Sequence, residues 1–389
     1  MTNRWLLPEN LADILPTQAL QVEELRRVIL DLFQSFGYQL VIPPMLEYVE
    51  SLLTAAGSDM SLQIFKLVDQ LSGRTLGIRS DMTTQVARID AHILNLQDIS
   101  RLCYAGTTLQ TRVVPGIFSR EQLQLGAEIY GFAGIEADIE IGRLMLDTLY
   151  LAQVGSVTLD MSHAALLRDV IAEIPLSSSQ SSELYAALQA KDRSSLEQLT
   201  ANWQGAKQEL ILSLLDLSGD APFVLERARQ VLPNTQVTQQ VLGDLETLYL
   251  ALRQYSNQTQ FNIDLADLAG YQYHTGVMSA AYIAGCPVAI ARGGRYDEVG
   301  SAFGRSRPAT GFSLDILPLA NLSQRPIITN VILAPCSNDP ELLQKMSELR
   351  QSGQVVIQLL PGESEKKQRT GVIGQLDKQA GIWQVHLTS

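Results

Sequence analysis

The chain has 389 residues, 46% of them apolar, and a formal net charge of −12; that length carries two or three domains with ample core. The acidic balance opposes a nucleic-acid partner, because phosphate contacts supply much of the affinity for such polyanions. Cys103, Cys286 and Cys336 contain no Cys-x-x-Cys pair, and His92, His163, His274 and His386 are scattered, which excludes a disulfide framework and leaves no metal or cofactor expected.

The opening Met1-Thr-Asn-Arg-Trp-Leu-Leu-Pro8 lacks a long apolar region with a small-residue cleavage site. No run reaches the roughly 18 apolar residues of a membrane span, so a cytoplasmic protein without a membrane partner is expected. Beyond Asp13-Ile-Leu-Pro16, the residues Leu25, Ile29, Leu32, Phe33 and Phe36 recur at the spacing of a helix with one apolar face. Gly37 ends that helix. Residues 38–47 read as a short strand that stops at Pro43-Pro44. Residues 73–88 read as a hairpin turn, a strand and a helix beginning near Met82; Asp81 suits the helix N-cap, accepting from a free backbone N–H.

From about 157 to 255 the pattern turns Leu-, Ala- and Gln-rich, broken at residues 177–182, and reads as a helical insertion. Strands resume at 261–265 and 288–292. After Pro326 a strand to Ala334, a helix over 339–351 and a strand over 355–360 make a small βαβ-like unit. The charged run Ser364-Glu-Lys-Lys-Gln-Arg369 reads as a solvated face. The segments are therefore 1–156, 157–255, 256–325 and 326–389.

Five motifs carry chemistry: Arg79-Ser-Asp-Met-Thr83, Arg101-Leu-Cys-Tyr-Ala-Gly106 with Gln124-Leu-Gly-Ala-Glu128, Leu268-Ala-Gly-Tyr-Gln-Tyr273, Ala291-Arg-Gly-Gly-Arg-Tyr-Asp297 and Gly311-Phe-Ser-Leu-Asp-Ile-Leu-Pro318. Together they resemble the histidyl-tRNA synthetases, a class II family, over roughly residues 4–322. The resemblance implies an α+β fold: a class II aminoacyl-tRNA synthetase-like antiparallel sheet with flanking helices, a helical insertion, and a small C-terminal α/β domain similar to a truncated anticodon-binding domain. It implies a homodimer built on the first helix and strand. It also implies a histidine pocket, with Asp81 and Thr83 at the ammonium, Gln124 and Glu128 as the binding amide and acid, Tyr273 as a stacking tyrosine, Tyr104 as a further member, and His274 in place of a second tyrosine.

Three catalytic positions depart from that family. Gln110, Ala269 and Pro318 stand where it has arginines that act on the substrate carboxylate and the ATP phosphates, and Pro318, inside a helix, is also expected to remove a backbone donor and disturb that helix. Amino-acid adenylation needs cations around a pentacoordinate phosphate, and removing one such donor costs about 10²–10³ in rate. Arg112 and Arg120 are candidate replacements. A synthetase scaffold that keeps a histidine site without these arginines resembles the regulatory subunits of ATP phosphoribosyltransferase. Those assemble with a short-form catalytic subunit, by resemblance as a hetero-octamer, activate it, and relay feedback inhibition by L-histidine in the first step of histidine biosynthesis. Two alternatives remain: an active, divergent histidyl-tRNA synthetase, and a histidine-sensing paralogue without this partner.

Overall fold

The computed structural model describes residues 5–53, 62–113, 119–171, 174, 176–267, 273–327, 330–363 and 371–387. Ala269 and the run 364–369 lie outside the described residues. The chain divides into two units, Met1–Gln324 and Arg325–Ser389.

In the first unit α1 (Pro16–Ser35) leads to β1 (Gln39–Leu40), and then to β2 (Leu46–Tyr48), α2 (Val49–Leu53), β3 (Phe65–Val68) and β4 (Thr75–Ile78). Next come α3 (Thr83–Arg88), the long strands β5 (Ser100–Leu109) and β6 (Glu121–Tyr130), α4 (Ile135–Leu151) and β7 (Val157–His163). A helical run follows: α5 (Ala164–Ile171), α6 (Ser178–Gln189), α7 (Arg193–Leu199), α8 (Gly205–Leu214), the short β8 (Ser218–Asp220), α9 (Ala221–Val231) and α10 (Gln236–Tyr255). The unit closes with β9 (Thr259–Asp264), β10 (Val277–Ile283), β11 (Ala291–Arg295), β12 (Ala309–Asp315) and α11 (Ile316–Leu322). Strands β2, β4 and β3 form a small sheet, and the others form a nine-stranded sheet in the order β1-β5-β6-β12-β11-β10-β7-β9-β8. Within it β5, β6, β12, β11, β10 and β7 are consecutively antiparallel.

Successive residues of a strand point to opposite faces, and this parity separates core from site. Phe312 meets Phe33 of α1 edge-on, ring centroids 5.8 Å apart, so α1 covers the reverse of the sheet. There Leu25, Ile29 and Phe33 of α1, Leu144, Leu146 and Leu149 of α4, and Leu245, Leu248 and Leu252 of α10 share one buried core. Each such side chain contributes about 1.5–3 kcal/mol of transfer free energy. The neighbour of Phe312, Gly311, faces the other way, where a smaller cluster forms from Met82, Leu102, Tyr104, Tyr130, Tyr296 and Ala309.

Three sequence expectations change. Residues 157–163 are the strand β7, paired with β10 and β9, so the helical run begins at Ala164. Its burial alternates through Val157, Leu159 and Met161, a period of two that the Leu-rich stretch beyond it obscures. Strand β11 begins at Ala291, three residues after Val288. Pro318 does not disturb its helix: it is the third residue of α11, where backbone N–H groups lack intrahelical acceptors anyway, and Asp315 at the N-cap accepts from Leu317 N at 3.1 Å.

In the second unit β13 (Val331–Ala334), α12 (Pro340–Gln351) and β14 (Val355–Gln358) form the expected parallel βαβ unit. The antiparallel pair β15 (Val372–Gln379) and β16 (Ile382–Leu387) extends the sheet to the order β14-β13-β15-β16. Trp383, Val385 and Leu387 of β16 alternate with Gln384 and His386, although no residue of the strand is fully buried.

Candidate functional site

The site lies on the face of the large sheet opposite α1 and is built from β5, β6, β11, β12 and the start of α3. Cross-strand pairing fixes its floor. Tyr104 lies opposite Gly126, Gln124 opposite Gly106, Glu128 opposite Gly311, and Gly311 opposite Gly294. The glycines are sterically required: a Cβ on Gly311 would stand 1.5 Å from Glu128 Oε2, and one on Gly126 would stand 2.3 Å from the Tyr104 hydroxyl.

One continuous chain of hydrogen bonds joins five of the sequence-predicted residues, Gln124, Asp81, Thr83, Tyr104 and Glu128. Gln124 Nε2 donates to Asp81 Oδ1 at 2.6 Å, and Gln124 Oε1 accepts from Met82 N at 2.9 Å. Thr83 Oγ1 donates to the same Asp81 oxygen at 3.3 Å and lies 3.0 Å from the Tyr104 hydroxyl. Tyr104 in turn donates to Glu128 Oε1 at 3.0 Å. Asp81 precedes the N-cap, Met82, and accepts from Thr83 N at 3.4 Å, so the end of α3 and the network share its carboxylate.

Two further tyrosines complete the chain, and neither was singled out from sequence. The Tyr296 hydroxyl donates to Glu128 Oε2 and lies 3.4 Å from that of Tyr130. The motif Gly294-Arg-Tyr296 shows how Tyr296 is aimed. Arg295 points to the reverse face, donating to Asp138 of α4 at 2.6 Å and to the carbonyls of Phe132 and Gly134, and its neighbour Tyr296 then faces Glu128. The alternation across this motif was the available signal.

Glu128 is fully buried, and burial pushes its carboxyl up to about 8, although the Tyr296 and Tyr104 hydroxyls lower it. Burial and the neighbouring Glu128 raise Tyr104 and Tyr296 well above the usual phenol range. The Tyr273 ring lies 5.0 Å from that of Tyr296. Its buried hydroxyl has no hydrogen-bond partner among the described residues, a condition that costs about 1–3 kcal/mol. His274 packs edge-on against Tyr273 at 5.5 Å, while its carbonyl accepts from Arg168 Nη2 at 2.6 Å. The site thus offers two carboxyl groups joined by hydroxyls and one uncommitted buried phenol, a donor–acceptor set that fits a small cationic or zwitterionic ring compound.

Gln124 also borders a cavity of about 150 Å³, lined in part by Gln122, Arg292, Ser313, Asp315 and Pro318. Pro318 therefore borders this cavity without offering a cation. Gln110 lies just past the end of β5, where its N–H donates to Arg120 O at 2.8 Å. Ala269 lies outside the described residues. Among the described residues no group of His, Cys, Asp and Glu is placed to hold a metal ion, and no helix is long and apolar enough to cross a membrane.

The family model for histidyl-tRNA synthetase matches residues 10–319, and the model described as ATP phosphoribosyltransferase subunit HisZ C-terminal domain matches residues 329–386. The chain is 52% identical to the ATP phosphoribosyltransferase regulatory subunit of Polynucleobacter asymbioticus over 98% of its own length and 99% of that protein. It is 51% identical to the protein of the same name from Ralstonia nicotianae, over 98% and 97%. A crystal structure described as an ATP phosphoribosyltransferase regulatory subunit/histidyl-tRNA synthetase from Bacillus halodurans superposes with a TM-score of 0.82 at 26% identity, covering 94% of this chain and 95% of that one. Histidyl-tRNA synthetase from Nostoc shares the fold at a TM-score of 0.80 and 19% identity, over 96% and 91% of the two chains.

Proposed function

Because this chain belongs to the ATP phosphoribosyltransferase regulatory subunit family, we propose that it is the non-catalytic subunit that binds and activates a short-form ATP phosphoribosyltransferase catalytic subunit. In this reading it carries feedback inhibition by histidine into the first step of histidine biosynthesis. The observation that carries the ligand half of the reading is the Asp81–Thr83–Tyr104–Glu128–Tyr296 network beside the Tyr273 hydroxyl, which has no partner among the described residues. L-Histidine fits it with the imidazole between Glu128 and Tyr273 and the ammonium at Asp81 and Thr83. A neutral imidazole donates one N–H and accepts at its other nitrogen, so the Glu128 carboxylate takes the N–H and the Tyr273 hydroxyl supplies the donor.

Synthetase chemistry is lost in this proposal, which Gln110 and Pro318 support because neither brings a cation to a phosphate. The reading includes no tRNA partner, consistent with the net charge of −12, and a cytoplasmic location. It also includes a homodimer within a hetero-octamer. The exposed Leu40 at the sheet edge, with Ile42, Met45 and Leu46 beside it, supports a subunit contact there.

The test mixes the purified chain with a short-form catalytic subunit and follows ATP phosphoribosylation with and without histidine. Co-elution, a raised rate and its loss on adding histidine are expected. Separate elution with an unchanged catalytic rate overturns the proposal.

A further inference from the structure

A bound amino acid brings a carboxylate as well as an ammonium, and the cations suggested by the sequence do not serve it. Arg120 is four residues from Gln124 along the strand direction, about 13 Å away. Its Nε donates to Gln110 O at 3.2 Å, and its guanidinium lies over the Phe65 ring. Arg112 is exposed in the same hairpin end. Arg79 is buried, and its Nε and Nη1 are held by the carbonyls of Thr107 and Pro43 at 2.8 and 2.7 Å, with Nη2 beside Gly106.

We propose that Arg292 receives the ligand carboxylate, making the cavity beside Gln124 the carboxylate subsite of the histidine pocket; this rests on the histidine reading above. Arg292 shares the site face. It lies opposite Ser313, which lies opposite Gly126, midway between Gln124 and Glu128. Two strand spacings, roughly 10 Å, therefore separate Arg292 from the level of the network. Across that span Gly126, Gly294, Gly311 and Ser313 leave the floor low. Gln124 cannot do the work alone, because its Oε1 and one Nε2 hydrogen are already committed to Met82 and Asp81; one N–H remains to assist.

Arg292 is also free to turn. Its side chain is 48% exposed, its Nη2 donates to the Tyr282 hydroxyl at 3.3 Å, and its Nη1 is 3.9 Å from Asp267, a solvated pair of the kind that contributes little. Asp315, two residues along β12 from Ser313, also lines the cavity, and its Oδ1 accepts from Leu123 N and Leu317 N, each at 3.1 Å. A carboxylate in the lining disfavours a polyphosphate, so the cavity suits a single carboxylate beside Arg292 better than a nucleotide.

The experiment measures binding of L-histidine and of histamine, which lacks the carboxylate, to the wild-type chain and to Arg292→Gln, with Arg120→Gln as control. Wild type binds histidine more tightly than histamine. Arg292→Gln weakens histidine roughly 10- to 100-fold, the worth of a charged hydrogen bond, while leaving histamine unchanged, and Arg120→Gln alters neither. If wild type binds histidine but Arg292→Gln binds it equally well, or weakens both ligands alike, the Arg292 assignment is overturned and the histidine pocket stands. If wild type binds neither ligand, the pocket reading itself fails and the subsite with it.

Discussion

Glu128→Gln tests the electrostatics of the site directly. In the folded chain burial holds the Glu128 carboxyl at about 8, against an ordinary value of 4.5. A raised carboxyl binds its proton more tightly in the folded state, so its contribution is fully present below the unfolded value and is lost as pH rises through the folded one. Between those values the folded state holds one more proton, and stability falls by up to about 1.4 kcal/mol per pH unit. From about pH 6.5 to about pH 8 the loss sums to about 2 kcal/mol. Asp315, pushed up to about 6 by burial, titrates mostly below this window. Glutamine imitates the protonated acid, so Glu128→Gln removes the slope. Urea unfolding of both proteins across the window measures the difference. Saturating L-histidine, whose imidazole N–H pairs with the carboxylate, flattens the wild-type slope as well. Parallel stability curves for wild type and Glu128→Gln refute the reasoning.

Histidine-dependent ATP–pyrophosphate exchange is expected to be undetectable, and neither Gln110→Arg nor Pro318→Arg alone restores it, because residues acting as a unit are not additive; exchange near an ordinary synthetase rate excludes a non-catalytic subunit. Tyr273→Phe removes a buried hydroxyl that has no partner among the described residues, so the free chain becomes no less stable in urea. The same substitution weakens histidine binding by about tenfold, one ordinary hydrogen bond; an unchanged affinity in calorimetry removes Tyr273 from the pocket. With the catalytic subunit present, Glu128→Ala keeps activation and loses histidine sensitivity. In the wild type the partner shifts histidine affinity by the same factor by which histidine shifts partner binding, roughly 5–150-fold. Unequal factors in paired titrations contradict the coupling.

What the sequence determined by itself is chemical identity at fixed spacing. Leu25, Ile29 and Phe33 name the buried face of α1 because a helix repeats every 3.6 residues, and Gln124 and Glu128 fall on one face of β6 because a strand repeats every two. The missing arginines at Gln110 and Pro318 are equally local facts. Where periods compete, local reading fails: the strand period of β7 runs directly into the Leu-rich helical stretch beside it.

Only the tertiary structure decided which of these residues meet. Tyr296 is 168 residues from Glu128, and its aim depends on Arg295 being held by Asp138 on the other side of the sheet. The raised pKa of Glu128 arises from its burial in the folded chain. Arg292 became a candidate only when β11 paired with β12 and brought it two strands from β6. Pro318 proved harmless to its helix for a positional reason, since it falls in the first turn of α11. Spacing along the chain reports the face of an element; the neighbours across the sheet, and hence the electrostatics, follow from strand order and register, which no local pattern encodes.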